Sequence, residues 1–335
     1  TATKITQNLE AIEIDVEYEI ETRWDAIINY LKVFFSSQGV DEVVAEELAI
    51  LPGFSELVSL LHILDHYQSG KYDAVILDCA PTGETLRLLS FPEVARWYME
   101  KFFRIERKIL KVVKPIAKSF VDTPLPSDDV LDAVEDLYIK IAKLKEILEG
   151  DETTIRLVMN PEKMVMRESE RAFTYLNLFG YQVDCLIVNK VFPQDSGKFL
   201  SRWVEIQQDY LSEIRERFPL PVFVVPFKET EIVGEKLYEL AEEIYNGEDP
   251  TKVFYREKPI KISKENDETV ISIKVPFISK EDLKILKKGG ELIIIAKQWK
   301  RIIFLPQSIA AKEPLGAKYI NGELKIRFGV KNERG

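Results

Sequence analysis

The segment Asp78-Cys79-Ala80-Pro81-Thr82-Gly83-Glu84-Thr85-Leu86-Arg87 concentrates residue types that handle phosphate. Its carboxylate stands at the end of Tyr72-Asp73-Ala74-Val75-Ile76-Leu77, an apolar, β-branched run of the kind that forms a buried parallel strand. A Pro81-Thr82-Gly83 turn and a helix start come immediately after it. This order predicts a carboxylate and free backbone amides in the crevice where open α/β sheets bind ligands. In a nucleotide-binding fold such an aspartate holds a Mg2+-bound water, and Gly83 lets the backbone approach a terminal phosphate. On composition alone, a strand-ending aspartate with an ordinary turn accounts for the same residues.

Other polar candidates are weaker. His62 and His66, at i and i+4, share a helix face, but no third ligand stands at a recognisable spacing, so a solvated or capping role is expected of them. Cys79 and Cys185 are the two cysteines of the sequence and fall beside strand-like runs. They describe a reduced, intracellular chain rather than a disulfide framework.

The elements that must position these residues are set by periodicity. A short strand is expected from Leu9 to Val16. Trp24, Ile27, Ile28, Leu31, Phe34 and Phe35 recur at helical spacing, and helices are expected at Glu42 to Leu51 and Phe54 to Gln68. Two long helices are expected at Glu93 to Phe120 and Asp128 to Glu149, joined by the Pro124-Leu125-Pro126 turn. From Thr153 to Tyr245 strands alternate with helices: strands at Thr153 to Met159, Val183 to Val191 and Val222 to Val225, helices at Met164 to Phe179, Leu200 to Phe218 and Glu231 to Tyr245. That alternation predicts a parallel sheet covered on both faces. After Gly247-Glu248-Asp249-Pro250 the texture changes to short alternating runs, with Asn321-Gly322 as a hairpin signal, and a small all-β domain is expected.

Composition excludes several classes. The 335 residues are 46% hydrophobic, too apolar for a disordered chain, and their longest apolar runs are only a few residues, too short to span a bilayer. A net charge of -10 argues against nucleic acid as a partner. The one basic stretch, Lys101 to Lys118, sets seven basic residues against Glu106 and reads as the solvated face of an amphipathic helix.

The string Asp78 to Leu89 resembles the second switch region of the arsenite-pump and tail-anchored-protein-targeting ATPases, a branch of the P-loop NTPases with a deviant phosphate loop. Three further pieces lie in the family's order: Asn160-Pro161-Glu162 with Arg167 to Arg171, Val188-Asn189-Lys190, and Val225-Pro226-Phe227 with Glu231-Ile232-Val233-Gly234 after it. The likeness covers about residues 1 to 247. It implies an ATP-hydrolysing, Mg2+-dependent, cytoplasmic homodimer that meets membranes only indirectly. Asp78 and Gly83 are implied as catalytic, with Asp78 holding a Mg2+-bound water. Pro81, Thr82, Asn189, Pro226 and Phe227 are implied as nucleotide-binding, with Asn189 reading the adenine edge. The helical insertion, about 20–70 and 93–150, is where the targeting branch builds a groove for a hydrophobic client helix. Trp97, Tyr98, Met99, Phe102 and Phe103 suit such a groove, and ordinary helix packing suits them as well. The arsenite-binding cysteine cluster and the Cys-x-x-Cys pair of related factors have no counterpart here.

The family's Gly-Lys-Thr or Gly-Lys-Ser loop is also missing. Gly70-Lys71 and Gly197-Lys198 are succeeded by Tyr and Phe, so the loop is expected ahead of Thr1, and this chain alone is not expected to hydrolyse ATP. A non-catalytic chaperone-like protein that holds apolar segments is the alternative.

Arg301-Ile302-Ile303-Phe304-Leu305-Pro306 and Gly316 to Ile326 are similar to the small-heat-shock-protein (α-crystallin) domain over about residues 256 to 331. The fold expected is therefore α/β: a P-loop NTPase-type parallel sheet with a helical insertion over residues 1–250, then an all-β sandwich.

Overall fold

The computed structural model describes residues 2–15, 18–19, 25–37, 39–41, 54–79, 127–266 and 268–329. It divides into two units, Thr1–Ile147 and Leu148–Gly335. The expected helix from Glu93 to Phe120, the basic run and the Pro124–Pro126 turn lie outside the described residues.

In the first unit β1 (Thr3–Lys4) and β2 (Glu10–Ala11) pair antiparallel. The strand expected from Leu9 is thus a two-residue rung, because among the described residues only Glu10 and Ala11 pair with another strand there. Helices α1 (Asp25–Ser37), α2 (Phe54–Ser69) and α3 (Asp128–Leu148) form as their apolar spacing predicts. α2 buries Leu57, Leu60, Leu61 and Leu64 and stops at Gly70, whose φ of +60° no helix can continue. His62 is buried as well, its Nε2 3.5 Å from Glu19 Oε1, and His66 meets Tyr72 edge to face. Packing, not solvation or capping, occupies the pair.

Residues 72–78 correct another expectation. They pair with no described strand, and Ile76 is 87% exposed. An apolar run becomes a buried strand only when neighbours supply its hydrogen bonds and its cover, and no described strand does so here.

The second unit opens with β3 (Ile155–Met159), α4 (Lys163–Phe179), β4 (Val183–Val191), α5 (Gly197–Arg217), β5 (Val222–Pro226) and α6 (Lys236–Tyr245). The strands are parallel in the order β3-β4-β5, with the central strand burying Val183, Cys185, Leu186 and Val188. α6 starts at Lys236 rather than Glu231, since Gly234 at φ +59° interrupts the chain just before it.

The antiparallel part comes next: β6 (Ile260–Glu265), β7 (Glu268–Lys274), β8 (Leu283–Lys288), β9 (Glu291–Ala296), β10 (Trp299–Phe304), β11 (Glu313–Ile320) and β12 (Glu323–Gly329). They form two sheets, β11-β12-β7-β6 and β10-β9-β8. Alternate residues face inward: Leu292, Ile294 and Ala296 on β9, Leu324, Ile326 and Phe328 on β12. The Asn321-Gly322 turn has φ of +50° and +77°, the primed geometry that suits strand twist.

Helix α4 joins the two parts. It buries eleven of its seventeen residues, including every one from Ala172 to Phe179, and keeps a solvent face only along its first half, at Lys163, Met164, Arg167, Glu168 and Arg171. Gly180, at φ +87°, closes it: the Gly180 N–H donates to Asn177 O and the Tyr181 N–H to Leu176 O. The Phe179 carbonyl accepts from Arg301 of β10 at 2.7 Å, and Arg301 also lies 3.3 Å from Glu149. Beside this, Thr174 Oγ1 donates to Pro276 O at 2.7 Å, and Phe277 packs against Phe173 and Phe218.

The segment after α6 is docked too. Arg156 donates to Lys252 O, the Phe254 N–H donates to the fully buried Asp184, and Gln182 donates to Tyr255 O. Lys274 and Tyr255 both donate to Glu257, which holds its carboxyl well below the usual range, at about 2.

Arg301→Leu would remove the buried donor to the Phe179 carbonyl and the cation 3.3 Å from Glu149. A loss of roughly 1.5–3 kcal/mol is expected in urea denaturation, not recovered by Arg301→Lys, which lacks the planar fork. An unchanged midpoint would show that the arginine does not hold the joint.

Candidate functional site

In a parallel sheet every strand delivers its carboxyl end to the same edge, so Met159, Val191 and Pro226 end side by side. The chain leaves each of these strands differently. After β3 it turns at Asn160-Pro161, with the Glu162 N–H bonded to Asn160 O, and enters α4 without a side-chain cap.

After β4 the geometry is unusual. Val188 pairs with Val224 and Val191 with Pro226, so three steps on β4 face two on β5. The extra residue is taken up at Lys190, whose φ of +58° lies in the left-handed region. Asn189 is half-buried, and its Oδ1 accepts from the Lys190 N–H at 2.9 Å. Because that bond uses the amide oxygen, the –NH2 is the group left to meet an acceptor.

After β5, the Phe227 N–H donates to Val191 O at 2.8 Å, which ties the two strand ends together. The Phe227 ring is 46% exposed and stands edge-on to Phe192, centroids 5.4 Å apart. An amide donor beside an exposed aromatic face is the pair of groups that a planar, nitrogen-rich base needs.

The sheet thus brings Asn189, Pro226 and Phe227 together. Asp78 belongs to the first unit, where it is exposed at the end of a segment that pairs with no described strand. Pro81, Thr82 and Gly83, with Trp97, Tyr98, Met99, Phe102 and Phe103, lie outside the described residues. Of the two Gly-Lys pairs, Gly70-Lys71 has its lysine ion-paired with Glu10 at 2.6 Å, and Gly197 opens α5. Among the described residues no group of three His, Cys, Asp or Glu could hold a metal, and no helix is long and apolar enough to cross a membrane.

Sequence reasoning missed Gln207. It is buried on α5, on the face of Val204, Leu211 and Ile214, and reaches back to the bulged strand end. Its signal was a carboxamide standing at an apolar helical position. At the opposite end of the sheet, burial first and Asp184 second push the Cys185 thiol up to about 12.

Comparison with known proteins agrees with this architecture. The model of the anion-transporting ATPases matches residues 1–246. The chain belongs to the anion-transporting ATPase family. A second model, the HSP20-like domain found in these ATPases, matches residues 266–328. A protein of Aquifex aeolicus (strain VF5), named provisionally as arsenical pump-driving ATPase 1, is 43% identical over 96% of this chain and 84% of its own length. A protein of Chlorobaculum tepidum with a similar provisional name is 38% identical over 99% of this chain and 84% of its own. The ATPase ASNA1 homolog 1 of Paramecium tetraurelia is 26% identical over 70% of this chain and 72% of its own. The family match accounts for the parallel sheet, and the HSP20-like match for the antiparallel strands behind it.

Proposed function

We propose that this ATPase binds ATP with Mg2+, hydrolyses it, and couples turnover to capture of a hydrophobic client helix. It works as a cytoplasmic homodimer and meets membranes only through its clients. The convergence of Asn189, Pro226 and Phe227 at the ends of neighbouring parallel strands is the main support, because it supplies one hydrogen-bond donor and one ring face for adenine.

Asp78, Pro81, Thr82 and Gly83 are assigned to the phosphate end. Mg2+ is ordinarily held by one or two carboxylates together with waters and phosphates, and the single exposed Asp78 fits that mode better than an all-protein cage. When bound, Mg2+ withdraws charge from the terminal phosphates. Asp78 would hold the metal through a bound water, accepting its hydrogen bond. Gly83, without a Cβ, lets its amide approach a terminal oxygen. Hydrolysis needs a Gly-Lys-Thr or Gly-Lys-Ser loop, which these residues do not contain. In this reading the ATPase part spans 1–250, with its insertion at about 20–70 and 93–150, and the sandwich spans 256–331.

For the client, Trp97, Tyr98, Met99, Phe102 and Phe103 are assigned to the groove. Arsenite is held by a cluster of thiolates, and the two cysteines of the sequence, Cys79 and Cys185, both fall outside the insertion. That favours an apolar helix over arsenite as the client.

In the full-length protein, Asp78→Asn is expected to lower ATP turnover by roughly two orders of magnitude while ATP still binds. Unchanged turnover would remove Asp78 from the mechanism. Trp97→Ser combined with Phe102→Ser is expected to weaken retention of a purified tail-anchored helix by about tenfold. Retention equal to wild type would return these aromatics to ordinary packing.

A further inference from the structure

We infer that Gln207 is a positioning residue for base recognition, acting through the bulged end of β4; this rests on the adenine site proposed above. A left-handed conformation costs a non-glycine residue about 1–2 kcal/mol and persists only where its surroundings impose it. Lys190 adopts it at φ +58°, one residue after the asparagine assigned to the base.

Four hydrogen bonds surround that bend, and Gln207 makes two of them. Its Nε2 donates to Lys190 O at 3.2 Å, and its Oε1 accepts from the Phe192 N–H at 2.7 Å. The Phe227 N–H to Val191 O bond and the Lys190 N–H to Asn189 Oδ1 bond complete the set. One carboxamide therefore brackets Val191 on both sides. It fixes the peptide that orients Asn189 and the residue, Phe192, whose ring supports Phe227.

Gln207 has little other reason to be polar. It is only 6% exposed, and its helix face is otherwise built from Val204, Leu211 and Ile214. A buried carboxamide is tolerated when both of its ends are satisfied, and the strand end satisfies both. Without it, the Lys190 carbonyl and the Phe192 amide would each lose a partner beneath α5. The bend would then be free to relax toward an ordinary extended strand, turning Asn189 away from the base.

The test compares binding of ATP, GTP and inorganic tripolyphosphate to the full-length wild type, Asn189→Ala and Gln207→Met. Methionine keeps the length and bulk of the side chain but neither hydrogen bond. Gln207→Met is expected to lower the preference for ATP over GTP by about tenfold, as Asn189→Ala does, with tripolyphosphate affinity unchanged because that ligand has no base. If Asn189→Ala lowers the preference and Gln207→Met does not, the positioning role is overturned while the adenine site stands. If Asn189→Ala leaves the preference intact, the adenine site itself fails and the role of Gln207 with it. Equal losses for ATP and tripolyphosphate in Gln207→Met would reveal a merely structural residue and overturn the inference. Should the methionine variant not fold, Gln207→Glu, which keeps the acceptor for Phe192, is expected to give an intermediate preference, and a wild-type preference there would contradict the inference.

Discussion

From Ala172 to Phe179 helix α4 has no exposed residue, and the second unit is organised around that constraint. Lys163, Arg167, Glu168 and Arg171 face solvent, but each buried polar group of the helix must find a partner in the protein. Ser169 and Asn177 turn back to carbonyls of their own helix. Glu170, buried in mid-helix, is met by Arg217 from the end of α5 at 2.6 Å and by Arg167 at 3.0 Å. Thr174 and the Phe179 carbonyl are met from the β-sandwich, by Pro276 and Arg301. The sandwich therefore completes the solvation of a helix whose first turn stands at the functional edge of the parallel sheet, which gives the β part a structural reason to be held close.

That edge obeys a second rule. Parallel strands place their carboxyl ends together by topology, but topology alone leaves side chains alternating from face to face. The bulge at Lys190 breaks the alternation and re-aims the end of β4. Hydrogen bonds from Gln207 and Phe227 then hold the new course. Base recognition in this account comes from a local departure from sheet regularity, stabilised by a helix that contributes no contact to the ligand.

Much of this was legible in the residues. The β-branched runs at 155–159, 183–191 and 222–226 formed parallel strands against which α4, α5 and α6 pack, and Asn321-Gly322 made its hairpin because both residues tolerate positive φ. Asn189 and Phe227 were singled out by the family resemblance of Val188-Asn189-Lys190 and Val225-Pro226-Phe227, not by periodicity. Tyr72 to Asp78 carries the same local pattern and yet pairs with no described strand, since strand character is decided by neighbours that a local pattern does not contain. The strand Leu283–Lys288 went unnoticed because its lysines dilute the apolar alternation, although pairing with β9 is complete. Gln207, Arg301 and Asp184 matter through partners 15 to 122 residues away, and no periodicity reveals such distances.

The central claim is that adenine is received between Asn189 and Phe227. It is tested most directly by a crystal structure of the full-length protein with Mg2+ and ADP. The account predicts the adenine ring against the face of Phe227, with a ring nitrogen in hydrogen-bond reach of the Asn189 amide. A base bound away from the carboxyl ends of β4 and β5 would contradict it.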